Sequence, residues 1–167
     1  MIPTKGKQAI ILLLYALSGI SFGLSIRTDR LIICLLGIPF VLLAVSTLHE
    51  LGHALGCIIN KNKITCIRTA LFTFQEGRLS LNERLSIGGY CTFIKSEHDA
   101  PVFLCGPLAS LLCFCVCLAW WLCTKPDNAA LVCTVITGLH VLKNGLPHGN
   151  NDLRLFIKEL TKGDPSV

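Results

Sequence analysis

Charge is what this sequence has least of: Asp, Glu, Lys and Arg make up 15% of the 167 residues, against about a quarter in soluble domains. With 52% apolar residues and a mean hydropathy of +0.64, that scarcity excludes an ordinary water-soluble globule and makes the bilayer the expected solvent. No stretch interleaves basic with aromatic residues, so the usual footprint of a nucleic-acid binder is missing. There is no internal repeat and no low-complexity tract. Lys5 and Lys7 precede a first apolar run that lacks a small-x-small cleavage site, so the run reads as a membrane anchor and not a signal peptide. Cysteine, by contrast, is plentiful. Of the ten, Cys34, Cys57, Cys105, Cys113, Cys115, Cys117, Cys123 and Cys133 lie in or beside apolar runs and read as small core residues, not as a disulfide framework. Cys113, Cys115 and Cys117 alternate between helix faces, which argues against a shared metal.

Four apolar segments, near 8–26, 31–59, 101–123 and 129–147, compare with the roughly 20 residues a spanning helix needs. The expected fold is a single mainly α membrane domain over 1–167 with about four transmembrane helices. The second segment is too long for a simple span, carries Pro39, and ends in the polar cluster His49, Glu50, His53. Twelve basic residues (Lys5, Lys7, Lys61, Lys63, Arg68, Arg78, Arg84, Lys95, Lys143, Arg154, Lys158, Lys162) then fall on one side and three (Arg27, Arg30, Lys125) on the other. The positive-inside rule makes the richer side cytoplasmic, with both termini there. The net charge of +5 is thus mostly topology.

Residues 60–100 form the one long polar connection. Lys63–Phe74, Arg78–Ile87 and Tyr90–Ile94 carry alternating or β-branched patterns broken at Glu76-Gly77 and Gly88-Gly89, which predicts a small β-hairpin or meander between the second and third spans. The tail, 152–167, begins with Leu153, Phe156 and Leu160 on one side and Arg154, Lys158 and Lys162 elsewhere, the pattern of a short amphipathic helix at an interface.

His49-Glu50-Leu51-Gly52-His53 is an HExxH pattern. On a helix the i, i+4 spacing stacks both imidazoles on one face, where they can share a zinc ion with Glu50 beside them as general base. The chemistry needs these types. Neutral imidazoles bind zinc without cancelling its charge, the ion brings the pKa of water toward about 7, and a carboxylate takes the proton. Burying two histidines and a glutamate in an apolar span costs about 2.5–3.5 kcal/mol for a central charge, so such residues are functional by default.

A catalytic zinc needs a third protein ligand, and Asp152, His140, His148, Glu83, Glu97, His98 and Asp99 are the candidates. Zinc, two neutral histidines, one bound carboxylate and ionised Glu50 sum to zero, which favours a carboxylate in a low-dielectric site. Asp152 follows Asn144-Gly145-Leu146-Pro147-His148-Gly149-Asn150-Asn151, whose glycines and proline cannot continue a helix. That stretch is either a fourth helix broken around a polar cavity to deliver a ligand, or a plain loop with Asn151 capping the tail helix.

Four ordered motifs make the chain resemble the site-2 protease family of membrane-embedded zinc metalloproteases over most of residues 30–155. They are His49–His53 with Ala54 and Gly56 behind it, Gly88-Gly89-Tyr90, Gly106-Pro107-Leu108-Ala109, and Asn144, Pro147 and Asp152 in an Asn-x-x-Pro-x-x-x-x-Asp pattern. The resemblance implies one zinc per chain held by His49, His53 and Asp152, with Glu50 activating water and Asn144 helping to position the substrate backbone. It also implies a bacterial cell membrane as the location, and a membrane-protein or signal-peptide-like substrate cut in or beside its apolar segment. The roles suggested are regulated release of transcription or sigma factors, or maturation of secreted peptides. Two departures stand out: Ser110 replaces the family's usual Asn one turn into the third motif, and Leu153 replaces the Gly after the aspartate.

Gly52 and Gly56 form a GxxxG pattern that lets a neighbouring segment approach closely enough to present its ligand. Hydrolysis requires an unwound substrate, and a strand edge at Gly88, Gly89 and Tyr90 is the expected docking strip. Two rivals come from other classes. A non-catalytic zinc-binding membrane scaffold of the same fold would lack the base or a ligand, and neither is missing. A metal transporter would carry further ligand clusters along a path, and one cluster is visible.

Overall fold

The computed structural model describes residues 4–82, 88–96, 99–124, 127–146 and 151–161. Glu83, Arg84, Glu97, His98, Lys125, Pro147, His148 and Lys162, all invoked above, lie outside the described residues. In chain order the elements are α1 (Thr4–Thr28), α2 (Leu31–Leu36), α3 (Ile38–Ile59), β1 (Ile64–Arg68), β2 (Phe72–Gln75), β3 (Arg78–Leu81), β4 (Tyr90–Phe93), α4 (Ala100–Cys123), α5 (Asn128–Gly145) and α6 (Asp152–Leu160).

Three of these helices, over Gly6–Thr28, Ile38–Ile59 and Ala100–Cys123, are long and apolar enough to cross a membrane. The fourth apolar segment forms α5, whose 18 residues reach about 27 Å at 1.5 Å per residue, short of a hydrocarbon core of about 30 Å. It also carries Thr134, Thr137, His140, Lys143 and Asn144. The helix ends at Gly145, and a new one starts at Asp152.

The over-long second segment is two helices. Pro39 lacks an N–H and so sits well in the first turn of α3, while α2 stops at Gly37. A Cβ on Gly37 would lie 2.9 Å from Cβ of Phe22 on α1, so only glycine lets α1 pack against the break. Ser18 of α1 bridges it: its Oγ donates to Leu36 O at 2.9 Å and accepts from Phe40 N at 3.0 Å. Backbone groups freed at the kink are thereby satisfied without water, as an apolar surrounding demands.

Hydrogen bonds fix which ends of the bundle belong together. Asp29, after α1, accepts from Asn128 N at 2.7 Å, with Asn128 Nδ2 donating to Asp29 O at 2.9 Å. At the other end Gln8 Nε2 donates to Leu81 O of the sheet at 3.0 Å. Lys7 therefore lies toward the sheet end, opposite Arg27 and Arg30.

The polar connection is a four-stranded antiparallel sheet in the order β3-β2-β1-β4. The run Lys63–Phe74 is two strands and not one, because buried Thr69 makes a turn there: its Oγ1 accepts from Leu71 N at 3.3 Å and Phe72 N at 3.2 Å. Glu76 (φ 51) and Gly77 (φ 78) form the expected tight turn between β2 and β3. Phe72 opposes Leu81 and Phe74 opposes Leu79, while Thr73 opposes Ser80 and Gln75 opposes Arg78. This hairpin has one apolar and one polar face, and Phe74, Leu79 and Leu81 of the apolar face are exposed.

α3 approaches α4 closely. A Cβ on Gly52 would lie 2.5 Å from Cys105 O, and one on Gly56 would lie 2.8 Å from Val102 Cα. The GxxxG stripe thus receives α4, which supports the histidines from behind; the aspartate arrives from α6 instead.

Candidate metal centre

On α3, His49, Glu50 and His53 are 5%, 5% and 7% exposed, so water does not satisfy their polar atoms. The two imidazoles share one face, with Nε2 to Nε2 at 3.2 Å. Asp152, the first residue of α6, extends Oδ2 to 2.9 Å from His49 Nε2 and 3.3 Å from His53 Nε2. Two nitrogens facing each other over a carboxylate oxygen crowd three electron-rich atoms around one point. A cation there relieves that repulsion. A tetrahedral ion with ligands at about 2.0–2.1 Å spaces its donors by roughly 3.3–3.4 Å, close to the three separations here. The group His49, His53, Asp152 is the one set of three or more metal-ligating side chains that converges among the described residues.

The far nitrogens are held as a metal site requires. His53 Nδ1 donates to Val102 O at 2.7 Å, and His49 Nδ1 lies 2.9 Å from Ser110 Oγ. The carbonyl can only accept, so His53 carries its proton on Nδ1 and leaves the Nε2 lone pair for a ligand; the Ser110 hydroxyl can accept from His49 Nδ1 in the same way. Both partners belong to α4. Gly106 is required there as well, since a Cβ at 106 would overlap the His53 ring. Among the described residues Glu50 Oε2 is buried without a hydrogen-bond partner, a cost tolerated where an open acceptor is needed for chemistry. Gly89 presses on it from the sheet, where a Cβ would lie 2.7 Å from Glu50 Cγ.

Asp152 lies outside the spanning segments. Burial pushes its carboxyl up, but protons on the two Nε2 atoms, where a cation would otherwise stand, outweigh that by hydrogen bond and charge and hold it below the usual carboxylate range. Asn151 caps α6, its side chain accepting from Arg154 N at 3.2 Å, and its Nδ2 also donates to Leu146 O. The two readings of this stretch thus coincide, because the cap of the tail helix is what delivers Asp152.

A cavity of about 510 Å³ opens over the centre. Gly88, Gly89, Tyr90 and Asn144 line it together with His49, Glu50, His53 and Asp152. β4 is an edge strand of the sheet, with Tyr90, Cys91 and Phe93 on the cavity wall. Of the other third-ligand candidates, His140 lines the same cavity but stays outside the converging group. Asp99 is buried at the start of α4, where Asn62 Nδ2 (2.7 Å), Ser96 N (3.0 Å) and Ser96 Oγ (2.8 Å) donate to it. Ser110 and the carbonyl of Val102 are the contributors that sequence reasoning missed. A backbone carbonyl leaves no signal in a sequence, and Ser110 registers only as a departure from a motif.

No protein-family model, no curated protein and no solved structure matches the chain. Reading the site therefore rests on its own geometry.

Proposed function

We propose that this chain is a membrane-embedded zinc endopeptidase of the site-2 protease type, cutting a peptide bond in or beside an apolar, membrane-inserted or signal-like segment of another protein. The carrying observation is the convergence of His49, His53 and Asp152 beside a buried carboxylate oxygen, Glu50 Oε2, that has no hydrogen-bond partner among the described residues. Two imidazoles and one carboxylate are the donor set of a catalytic zinc with room for a further ligand. Such an ion supplies Lewis-acid polarisation of a carbonyl and acidification of water.

The chain's own groups do the rest. Glu50 takes a proton from water as the water oxygen adds to the substrate carbonyl carbon, and returns it to the amide nitrogen as the C–N bond breaks. Ser110 and Val102 O keep both imidazoles in the tautomer that offers Nε2. The β4 edge at Gly88, Gly89 and Tyr90 holds the unwound substrate as an added strand, and Asn144 positions its backbone. Having three helices fit to span a membrane with a half-buried aspartate closing the site suits a substrate that arrives from the bilayer.

The test compares wild type with Glu50→Gln in liposomes for zinc content and for cleavage of a reporter carrying a transmembrane or signal segment. One zinc in each with cleavage by wild type alone is the expected result. Zinc in both with no cleavage of a broad panel would replace the protease by a zinc-binding scaffold.

A further inference from the structure

Behind His49 runs a short hydrogen-bonded chain that includes His140, a residue with no role so far. Ser110 Oγ lies 2.9 Å from His49 Nδ1 and 3.3 Å from His140 Nδ1. The His140 and His49 rings meet edge to face, centroids 5.3 Å apart at 77°. One turn on, Asn144 Nδ2 sits 3.2 Å from His140 Nδ1, nearer than its 3.4 Å to Nε2, and donates to His140 O at 3.1 Å. His140 also lines the cavity over the metal centre.

The direction of these bonds follows from counting protons. For His49 to offer Nε2 to a metal, its Nδ1 carries the proton and donates to Ser110 Oγ. The serine has one proton of its own, and the remaining neighbour for it is His140 Nδ1. Asn144 Nδ2, nearly equidistant from the two ring nitrogens, lies over the ring face and not on the Nδ1 lone pair, its orientation fixed by its bond to the His140 carbonyl. The serine proton alone thus makes His140 Nδ1 the acceptor. The proton of the neutral ring is then on Nε2.

We infer that His140 is a catalytic hydrogen-bond donor, presenting Nε2–H to the substrate carbonyl oxygen as it gains negative charge, with Ser110 setting that tautomer and Asn144 bracing the ring. The inference rests on the protease reading. A neutral donor already oriented in a water-poor cavity stabilises developing charge without reorganising, which is where such groups contribute most to rate. It also gives Ser110 a reason beyond bracing His49, since its one hydroxyl sets both imidazoles.

Two measurements decide it. In the zinc-loaded, ¹⁵N-histidine-labelled chain in micelles, long-range proton–nitrogen correlations should show His140, assigned by its loss in His140→Gln, with Nδ1 bare and Nε2 protonated. A proton on Nδ1 overturns the inference whatever the activity. In steady-state cleavage, His140→Leu should keep one zinc and a KM within about twofold while kcat falls about 100-fold, the effect of removing one such donor. His140→Gln, which retains a side-chain N–H, should recover part of it. An unchanged kcat in His140→Leu sinks the inference alone, and loss of zinc turns His140 into a support for the metal. A wild type that cleaves nothing sinks the protease reading and the inference with it.

Discussion

Gly52→Ala is the sharpest test of how α3 and α4 build the centre. The new Cβ would lie 2.5 Å from Cys105 O and 2.8 Å from Ala109 Cβ, about 1 Å short of an ordinary contact of roughly 3.5 Å. Both obstacles are fixed to the α4 backbone, so no rotamer change relieves them and the helices must part by about that distance. Val102 and Ser110, which flank the contact, hold His53 and His49 at 2.7 and 2.9 Å. A 1 Å retreat stretches both bonds to roughly 3.7–3.9 Å, beyond useful hydrogen-bonding range. Overpacking should cost about 1–3 kcal/mol of stability, and losing the outer partners should weaken zinc about 10–100-fold. Thermal unfolding in detergent and zinc competition against a chelator read the two effects separately. Gly23→Ala is the control, since nothing lies within 4 Å of its added Cβ and the substitution removes only glycine's helix penalty. A Gly52→Ala protein that melts and binds zinc like wild type would refute the argument, as would an equal loss in Gly23→Ala.

Two further outcomes follow from single side chains. Asp152→Asn removes the one charged donor of the trio and should weaken zinc by more than the about 10–100-fold typical of an outer partner; unchanged affinity in equilibrium dialysis would move the third ligand to His148. Asp99→Ala should cost about 1 kcal/mol, because half-buried Asn62 and exposed Ser96 lose their acceptor and turn to water in its place. Burial pushes the Asp99 carboxyl up, yet the hydrogen bonds from Ser96 and Asn62 and the charge of Lys95 hold it below its ordinary value. Its contribution is therefore complete above the unfolded value of about 3.9 and is lost as the pH falls through the lower folded one. Melting temperatures from pH 6 to 3 should fall less steeply in Asp99→Asn than in wild type, and parallel curves would count against it.

What the sequence disclosed was whatever is periodic or local. The i, i+4 spacing of His49 and His53 already puts both rings on one helix face, and the turn at Glu76-Gly77 announces itself by composition. Asp152 was reachable through charge balance and through its place after a stretch that cannot stay helical. The rest depends on contacts between distant segments. Thr69 splits a strand through hydrogen bonds to amides two and three residues ahead, which alternation alone does not encode. Gly52 and Gly56 signal a close approach without naming the partner, and the partner is α4, not the ligand-bearing segment. Ser110 illustrates the same gap, because its meaning appears only once α4 and α5 bring two imidazoles to one hydroxyl.

The geometry of Asp152 ties the centre to the tail. A nine-residue helix has little stability of its own, since an isolated helix shorter than about 12–15 residues is marginal in water. What holds α6 is its packing against α4 together with its first turn, where Asn151 caps it and anchors back to the end of α5 and Asp152 reaches the two histidines of α3. An ion at the proposed site binds the docked arrangement and not the undocked one, so loading it stabilises the tail by the same free energy with which the docked tail tightens the ion. Asn151 therefore belongs to the centre without touching it. Removing its side chain loosens the turn that carries Asp152, and the effect of Asn151→Ala on zinc affinity should accompany its effect on protease sensitivity at the end of α5. Tail accessibility and metal affinity that vary independently would mean that α6 docks for reasons of packing alone, with Asp152 a passenger on it.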